Sequence, residues 1–141
     1  MVPARVLRQR AALFQSIRTF FTDRGYLEVD TPVRIPAPAP EAYIDPEPAG
    51  DWYLQTSPEL CMKRLLAAGF PEIFQICKCF RRHERGDRHL PEFTMLEWYR
   101  RGRDYRDLMD DCEALLPFVA GRLGGGATIT AGGTTVSLAA P

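Results

Sequence analysis

The sequence lacks the features that would place it in a membrane or in a secreted disulfide scaffold. None of its 141 residues fall in an apolar run of the ~18 positions a membrane-spanning helix needs. The N-terminus, MVPARVLRQR, has basic residues but no apolar stretch behind them, so no secretory signal is expected. The cysteines (Cys61, Cys77, Cys79 and Cys112) show no framework spacing, and reduced thiols in a cytoplasmic protein are the expectation. An excess of either charge is also missing: 18 basic residues balance 18 acidic ones, which argues against a polybasic membrane binder or a general nucleic-acid coat. No internal repeat is present. What remains is 45% apolar and 26% charged, the composition of one ordinary globular domain with its own core.

Periodicity predicts a helix over residues 5–24, where Leu13, Phe14, Ile17, Phe20 and Phe21 form one apolar stripe and Gly25 stands at the C-terminal cap. YLEVDTPV reads as a strand that Pro32 ends or confines to an edge. RIPAPAPEAYIDPEPAGD, residues 34–51, with prolines at 36, 38, 40, 46 and 48, is expected to be an extended surface loop without regular structure. TSPELCMKRLLAAG reads as a helix capped by Ser57, with Pro58 in its first turn and Gly69 past its end. Two strands follow. In EIFQICKCFR, alternation puts Gln75, Cys77, Cys79 and Arg81 on one face and Phe74, Ile76 and Phe80 on the other. In EFTMLEWYR, the residues Phe93, Met95, Glu97 and Tyr99 share a face, and the polar segment between makes the pair a hairpin with a long loop. From Asp104, a candidate N-cap, a second helix is expected to bury Leu108, Met109, Cys112, Leu115, Leu116 and Val119, with Pro117 kinking or shortening its last turn. TITAGGTTVSL reads as a small hairpin. Trp52 and Tyr53 read as strand packing.

Residues 76–100 concentrate charge and hold both histidines, His83 and His89. A half-buried charge needs a partner. One reading pairs Arg81 with Glu97 across the strands. The other leaves each for a ligand: the planar fork of Arg81 for a carboxylate or phosphate, and Glu97 beside the Tyr99 phenol for an ammonium.

The stretches GYLEVDTP, TSPELCMKRLLAAG, FQICKCFR and RHLPEFTMLEWYR, in that order, resemble motifs 1 and 2 of the class II aminoacyl-tRNA synthetases, and within them the lysine branch. Motif 1 covers about 14–32 and motif 2 about 73–100, and the resemblance runs from about Arg5 to Leu116. The wording of MKRLLAAG and FTMLEWYR is closer to the elongation factor P–lysine ligase family than to the lysyl-tRNA synthetases, which carry an N-terminal anticodon-binding barrel. The resemblance implies an α+β fold, an antiparallel sheet flanked by helices and incomplete at its C-terminal side. It implies ATP-dependent activation of lysine or β-lysine as an aminoacyl-adenylate, with elongation factor P rather than tRNA as acceptor, in a homodimer formed through motif 1. Arg81, as the catalytic residue, would bridge the ATP α-phosphate and the amino-acid carboxylate. Glu59 would lie near the α-ammonium, Glu97 and Tyr99 would grip the side-chain ammonium, Arg88 and His89 would approach the phosphates, and Phe93 would stack on adenine.

The family signature Phe-Arg-x-Glu is shifted here. Counting from Arg81, His83 takes the glutamate's place; counting from Arg82, Glu84 does, but the loop to Pro91 is one residue shorter. Strand alternation favours Arg81, with a local bulge that carries Glu84 to the adenine amino group. Leu90 stands where the lysine branch usually has Asn. Motif 3, with its ATP-clamping arginine, and the acidic ligands of Mg²⁺ are expected beyond Pro141. A lysyl-tRNA synthetase fragment, which would charge tRNA, stays as a related alternative, and two other classes compete. One is a zinc module on Cys77, Cys79, His83 and His89, although Cys-x-Cys on a strand is poor chelate spacing. The other is a lysine-binding or dimerisation module without ATP chemistry.

Overall fold

A computed structural model describes residues 2–138. The chain divides into two compact units, Tyr26–Arg101 and the segments on either side of it.

The flanking unit is built on two helices. Helix α1 spans Ala4–Thr22 and buries Ser16, Phe20 and Phe21. Its chain turns at Gly25, whose φ of 84° lies in the left-handed region that a side chain would disfavour. Helix α3 spans Tyr105–Arg122. It starts as expected at Asp104, whose carboxylate accepts from Arg106 N at 2.8 Å while Asp107 accepts from Asp104 N at 3.0 Å, a reciprocal capping box. The expected burial of α3 is corrected. Leu115 is buried with Asp111, and Phe118 packs edge-on against Phe20 at 5.5 Å, whereas Leu108, Met109, Cys112 and Leu116 are exposed. The apolar residues of α3 cover more of the helix circumference than α1 can face, and the Leu115–Phe118 side is the one that packs. Pro117 does not shorten the helix, which runs on to Arg122. A proline costs a helix one N–H donor near its own position, and the following turn keeps its remaining bonds. Strands whose bounds are Thr128–Ala131 and Thr134–Ser137, β7 and β8, form the expected small hairpin through Gly132 and Gly133, both at positive φ.

In the central unit, β1 (Leu27–Glu28), β5 (Glu72–Phe80) and β6 (Glu92–Arg100) make one sheet in the order β1–β5–β6. β5 and β6 form the expected antiparallel hairpin over their full length, from Glu72 opposite Arg100 to Phe80 opposite Glu92. The YLEVDTPV strand is shorter than expected, two residues pairing parallel to β5, with Val29 N adding one more bond to Phe74 O at 2.9 Å. The proline-rich segment is corrected too. Its ends form β2 (Arg34–Ile35) and β3 (Pro48–Ala49) on either side of β4 (Trp52–Leu54). Pro48 is tolerated because β3 is an edge strand. Helix α2, Glu59–Ala67, begins where Ser57 Oγ accepts from Glu59 N at 3.3 Å. It ends at Gly69 (φ 105°) with Gly69 N bonded to Leu66 O and Phe70 N to Leu65 O, the paired bonds of a Schellman motif. Met62, Ile73, Phe74 and Cys79 are fully buried in this unit.

Candidate active site

The β5–β6 register decides which side chains meet. Ile73 faces Tyr99, Gln75 faces Glu97, Cys77 faces Met95 and Cys79 faces Phe93. Directly opposed residues project to the same side of a sheet, so these eight share one face, as alternation along each strand predicts. Arg81 continues the series just beyond β5. Its backbone N bonds to Pro91 O at 2.9 Å, which closes the base of the hairpin loop.

At the loop end, Arg81, Glu84, Arg88, His89, Leu90 and Phe93 line a cavity of about 270 Å³. All five residues assigned by resemblance to ATP therefore meet in one hollow. The Arg81 guanidinium lies 5.1 Å from the centre of the Phe93 ring, 3.9 Å from Glu84 Oε1, and donates through Nε to Thr56 O at 3.4 Å. The extra residue of the Arg-Arg-His-Glu run is taken up at His83, the only non-glycine residue at positive φ (66°) among those described. Arg82 is tied by its N–H to Asp45 O at 2.8 Å, and Arg85 N bonds to His83 O at 2.9 Å. The kink turns Glu84 back towards Arg81, as a local bulge would.

At the other end, the Tyr99 phenol donates to Glu97 Oε1 at 2.5 Å. Burial pushes the Glu97 carboxyl above its usual range, against the opposing pull of the Tyr99 hydrogen bond. Burial, then the adjacent Glu97, raise the Tyr99 phenol as well. Glu59 acts on Glu97 through its charge, and on α2 it forms an (i, i+4) ion pair with Lys63. No ion pair joins Arg81 to Glu97 among the described residues, so the cross-strand pairing reading is not realised. Glu59, in contrast, has a partner that the sequence reading missed, although its spacing from Lys63 was visible.

Other neighbours went unread. Gln75, opposite Glu97, is 1% exposed; its Oε1 accepts from Thr31 at 3.0 Å and its Nε2 has no hydrogen-bond partner. Gln55, also 1% exposed, donates to Lys78 O at 2.9 Å and leaves its Oε1 without one. Buried orphans of this kind mark places where a ligand or water supplies the missing partner. Mid-face, the Cys77 and Cys79 sulfurs are 3.8 Å apart, and their shared hydrogen bond lowers the Cys77 thiol and raises that of Cys79. Among the described residues, no three His, Cys, Asp or Glu side chains converge on a metal position. The four-ligand zinc arrangement is therefore not assembled, and these residues do not fit Mg²⁺ either.

Residues 3–136 match the family model of the class II tRNA synthetases for Asp, Lys and Asn. The chain belongs to this class II synthetase family. Among curated proteins it is 49% identical over 123 residues to a Vibrio vulnificus protein named elongation factor P–(R)-β-lysine ligase. Proteins of the same name from Photobacterium profundum and Pectobacterium carotovorum are 47% identical over 123 residues and 48% over 120. The matches cover 80%, 80% and 78% of this chain. The chain spans only 37–38% of the length of these relatives. The α+β fold, with its antiparallel β5–β6 hairpin, is that of a class II synthetase segment. No described helix is long and apolar enough to cross a membrane.

Proposed function

We propose that this class II synthetase segment carries the ATP- and amino-acid-binding hairpin of a ligase that activates lysine or β-lysine and transfers it to elongation factor P. The observation that carries the reading is the shared face of β5 and β6. It holds a cation at one end and a half-buried carboxylate at the other, and neither neutralises the other. The similarity to three ligases of that name points the same way.

In this reading the substrate ammonium meets Glu97, whose second oxygen and the Tyr99 phenol oxygen accept from it. A neutral side chain would leave the carboxylate without a counter-ion, which makes Glu97 the selecting group. The amino-acid carboxylate lies towards Arg81. One of its oxygens attacks the α-phosphorus of ATP, the bond to the bridging oxygen breaks, and pyrophosphate leaves. Arg81 steadies the charge that builds on the α-phosphoryl oxygens. Glu84 accepts from the adenine amino group, Phe93 offers its ring to the base, and Arg88 with His89 face the phosphates. In the second step the acceptor lysine amine attacks the mixed-anhydride carbonyl and AMP departs. Glu59 sits near the α-ammonium, exchanging part of its pairing with Lys63 for the substrate. The active form is a homodimer joined through motif 1.

The full-length protein should catalyse lysine-dependent exchange of pyrophosphate into ATP and then label elongation factor P, leaving tRNA uncharged. Arg81→Ala should abolish the exchange. Near-normal exchange in that variant would overturn the assignment.

A further inference from the structure

Between the two charged ends of the shared face lies a group of sulfurs that the adenylation chemistry does not use. Cys77 and Cys79 project side by side from β5, their Sγ atoms 3.8 Å apart, and Met95 Sδ on β6 lies 3.9 Å from Cys79 Sγ. Met95 is also the direct register partner of Cys77. Three sulfurs from two strands thus meet on one side of the sheet. Cys79 is fully buried, and Cys77 and Met95 are half-buried, which leaves a way in past Cys77.

We infer that Cys77, Cys79 and Met95 form a binding site for a soft monovalent cation, copper(I) or its analogue silver(I). A metal–sulfur bond of about 2.3 Å, arranged trigonally, needs sulfurs about 4 Å apart. Cys79 Sγ already stands at that distance from both of its neighbours, 3.8 Å from Cys77 Sγ and 3.9 Å from Met95 Sδ. A bound cation would draw Cys77 and Met95, register partners across the strands, into the third side of the triangle. Two thiolates with a thioether are the donor set that soft cations prefer, and hard cations such as Mg²⁺ gain little from three sulfurs. A disulfide is the poorer alternative for the same pair. Residues i and i+2 of a strand have Cα atoms about 6.6 Å apart, at the edge of the range a disulfide bridges, and closing it would pucker β5. Coordination releases the protons of the two thiols, exchanging two S–H bonds for two metal–sulfur bonds without any change of oxidation state. The site stands on geometry alone and does not depend on the ligase reading. If that reading holds as well, a bound cation occupies the path between Glu97 and Arg81 and blocks the amino acid.

The test is an anaerobic titration of the reduced full-length protein with copper(I) held by the chromogenic chelator bicinchoninate. The wild type should withdraw one equivalent from the chelator, and X-ray absorption of the product should give three sulfur neighbours. Cys77→Ser should lose the site. Met95→Leu, close in volume, should weaken copper(I) at least tenfold while leaving the far-UV spectrum unchanged. A Cys61→Ser/Cys112→Ser protein should bind as the wild type does. Wild-type affinity in Met95→Leu or in Cys77→Ser, two sulfur neighbours instead of three, or loss of binding in the Cys61/Cys112 variant would each overturn the inference. Should Cys77→Ser fail to fold, Met95→Leu and the sulfur count decide alone.

Discussion

Glu97 is a carboxylate placed where its charge is costly, and this has consequences that can be titrated. Burial is the main cause of its raised pKa, with the nearby charge of Glu59 adding to it. The native state therefore holds the Glu97 proton more tightly than the unfolded chain does. Its contribution to stability is fully present below the ordinary value of 4.5 and is lost as pH rises through the folded value. Replacing Glu97 with Gln removes this dependence. Urea unfolding from pH 4 to 8 should show the wild type losing ground to Glu97→Gln as the pH rises, and parallel profiles would mean that burial does not strain Glu97. A ligand ammonium reverses the sign, because it binds the ionised form. Lysine affinity should fall by up to about tenfold per pH unit once the pH drops below the raised value. Calorimetry at neutral pH should find lysine binding weakened by about 2 kcal/mol or more in Glu97→Gln, the cost of removing a charged hydrogen-bond partner. Unchanged affinity would remove Glu97 from the amino-acid pocket.

Helix α2 is fixed at both ends by devices written in its sequence. Gly69→Ala meets no atom within 4 Å of the added Cβ, so its cost comes from the backbone alone. Holding an L-residue in the left-handed region should destabilise the protein by about 1–2 kcal/mol, read as a lower urea midpoint. Asp104→Ala removes the α3 cap and should cost about 1 kcal/mol. Such local signals were legible: Ser57, Gly69 and Asp104 stand where capping chemistry puts them, and alternation sorted β5 and β6 into the correct faces. The gathering of Arg81, Glu84, Arg88, His89 and Phe93 followed, since a hairpin fixes its own register. Partnerships remote in sequence were not legible. The parallel pairing of Leu27 with Ile73, the strands that Arg34 and Pro48 make with β4, and the tie from Asp45 to Arg82 depend on which segments come together in space. On α3 the apolar residues were recognised, but which of them would pack depended on the surface α1 offers.

At the scale of the molecule, β1 is the outer strand of its sheet, with one side paired to β5 and the other without a strand partner among the described residues. Leu27 on it is 49% exposed, and Val33, just past Pro32, is 37% exposed. An unpaired strand edge with apolar side chains tends to be covered, and a two-fold axis covers it with its own copy. The motif 1 homodimer proposed above would use this edge. Because the chain spans about 38% of its relatives, the measurement belongs on the full-length protein. Sedimentation at micromolar concentration should give a dimer. Leu27→Lys would put a charge on each side of the axis, where the two repel and neither finds a counter-ion. That variant should sediment as a monomer with an unchanged far-UV spectrum, since Leu27 contributes little to its own sheet's interior. A dimer that persists at wild-type concentration in Leu27→Lys would exclude the β1 edge from the interface. A monomer that still exchanges pyrophosphate at the full rate would separate the dimer from the chemistry on the β5–β6 face.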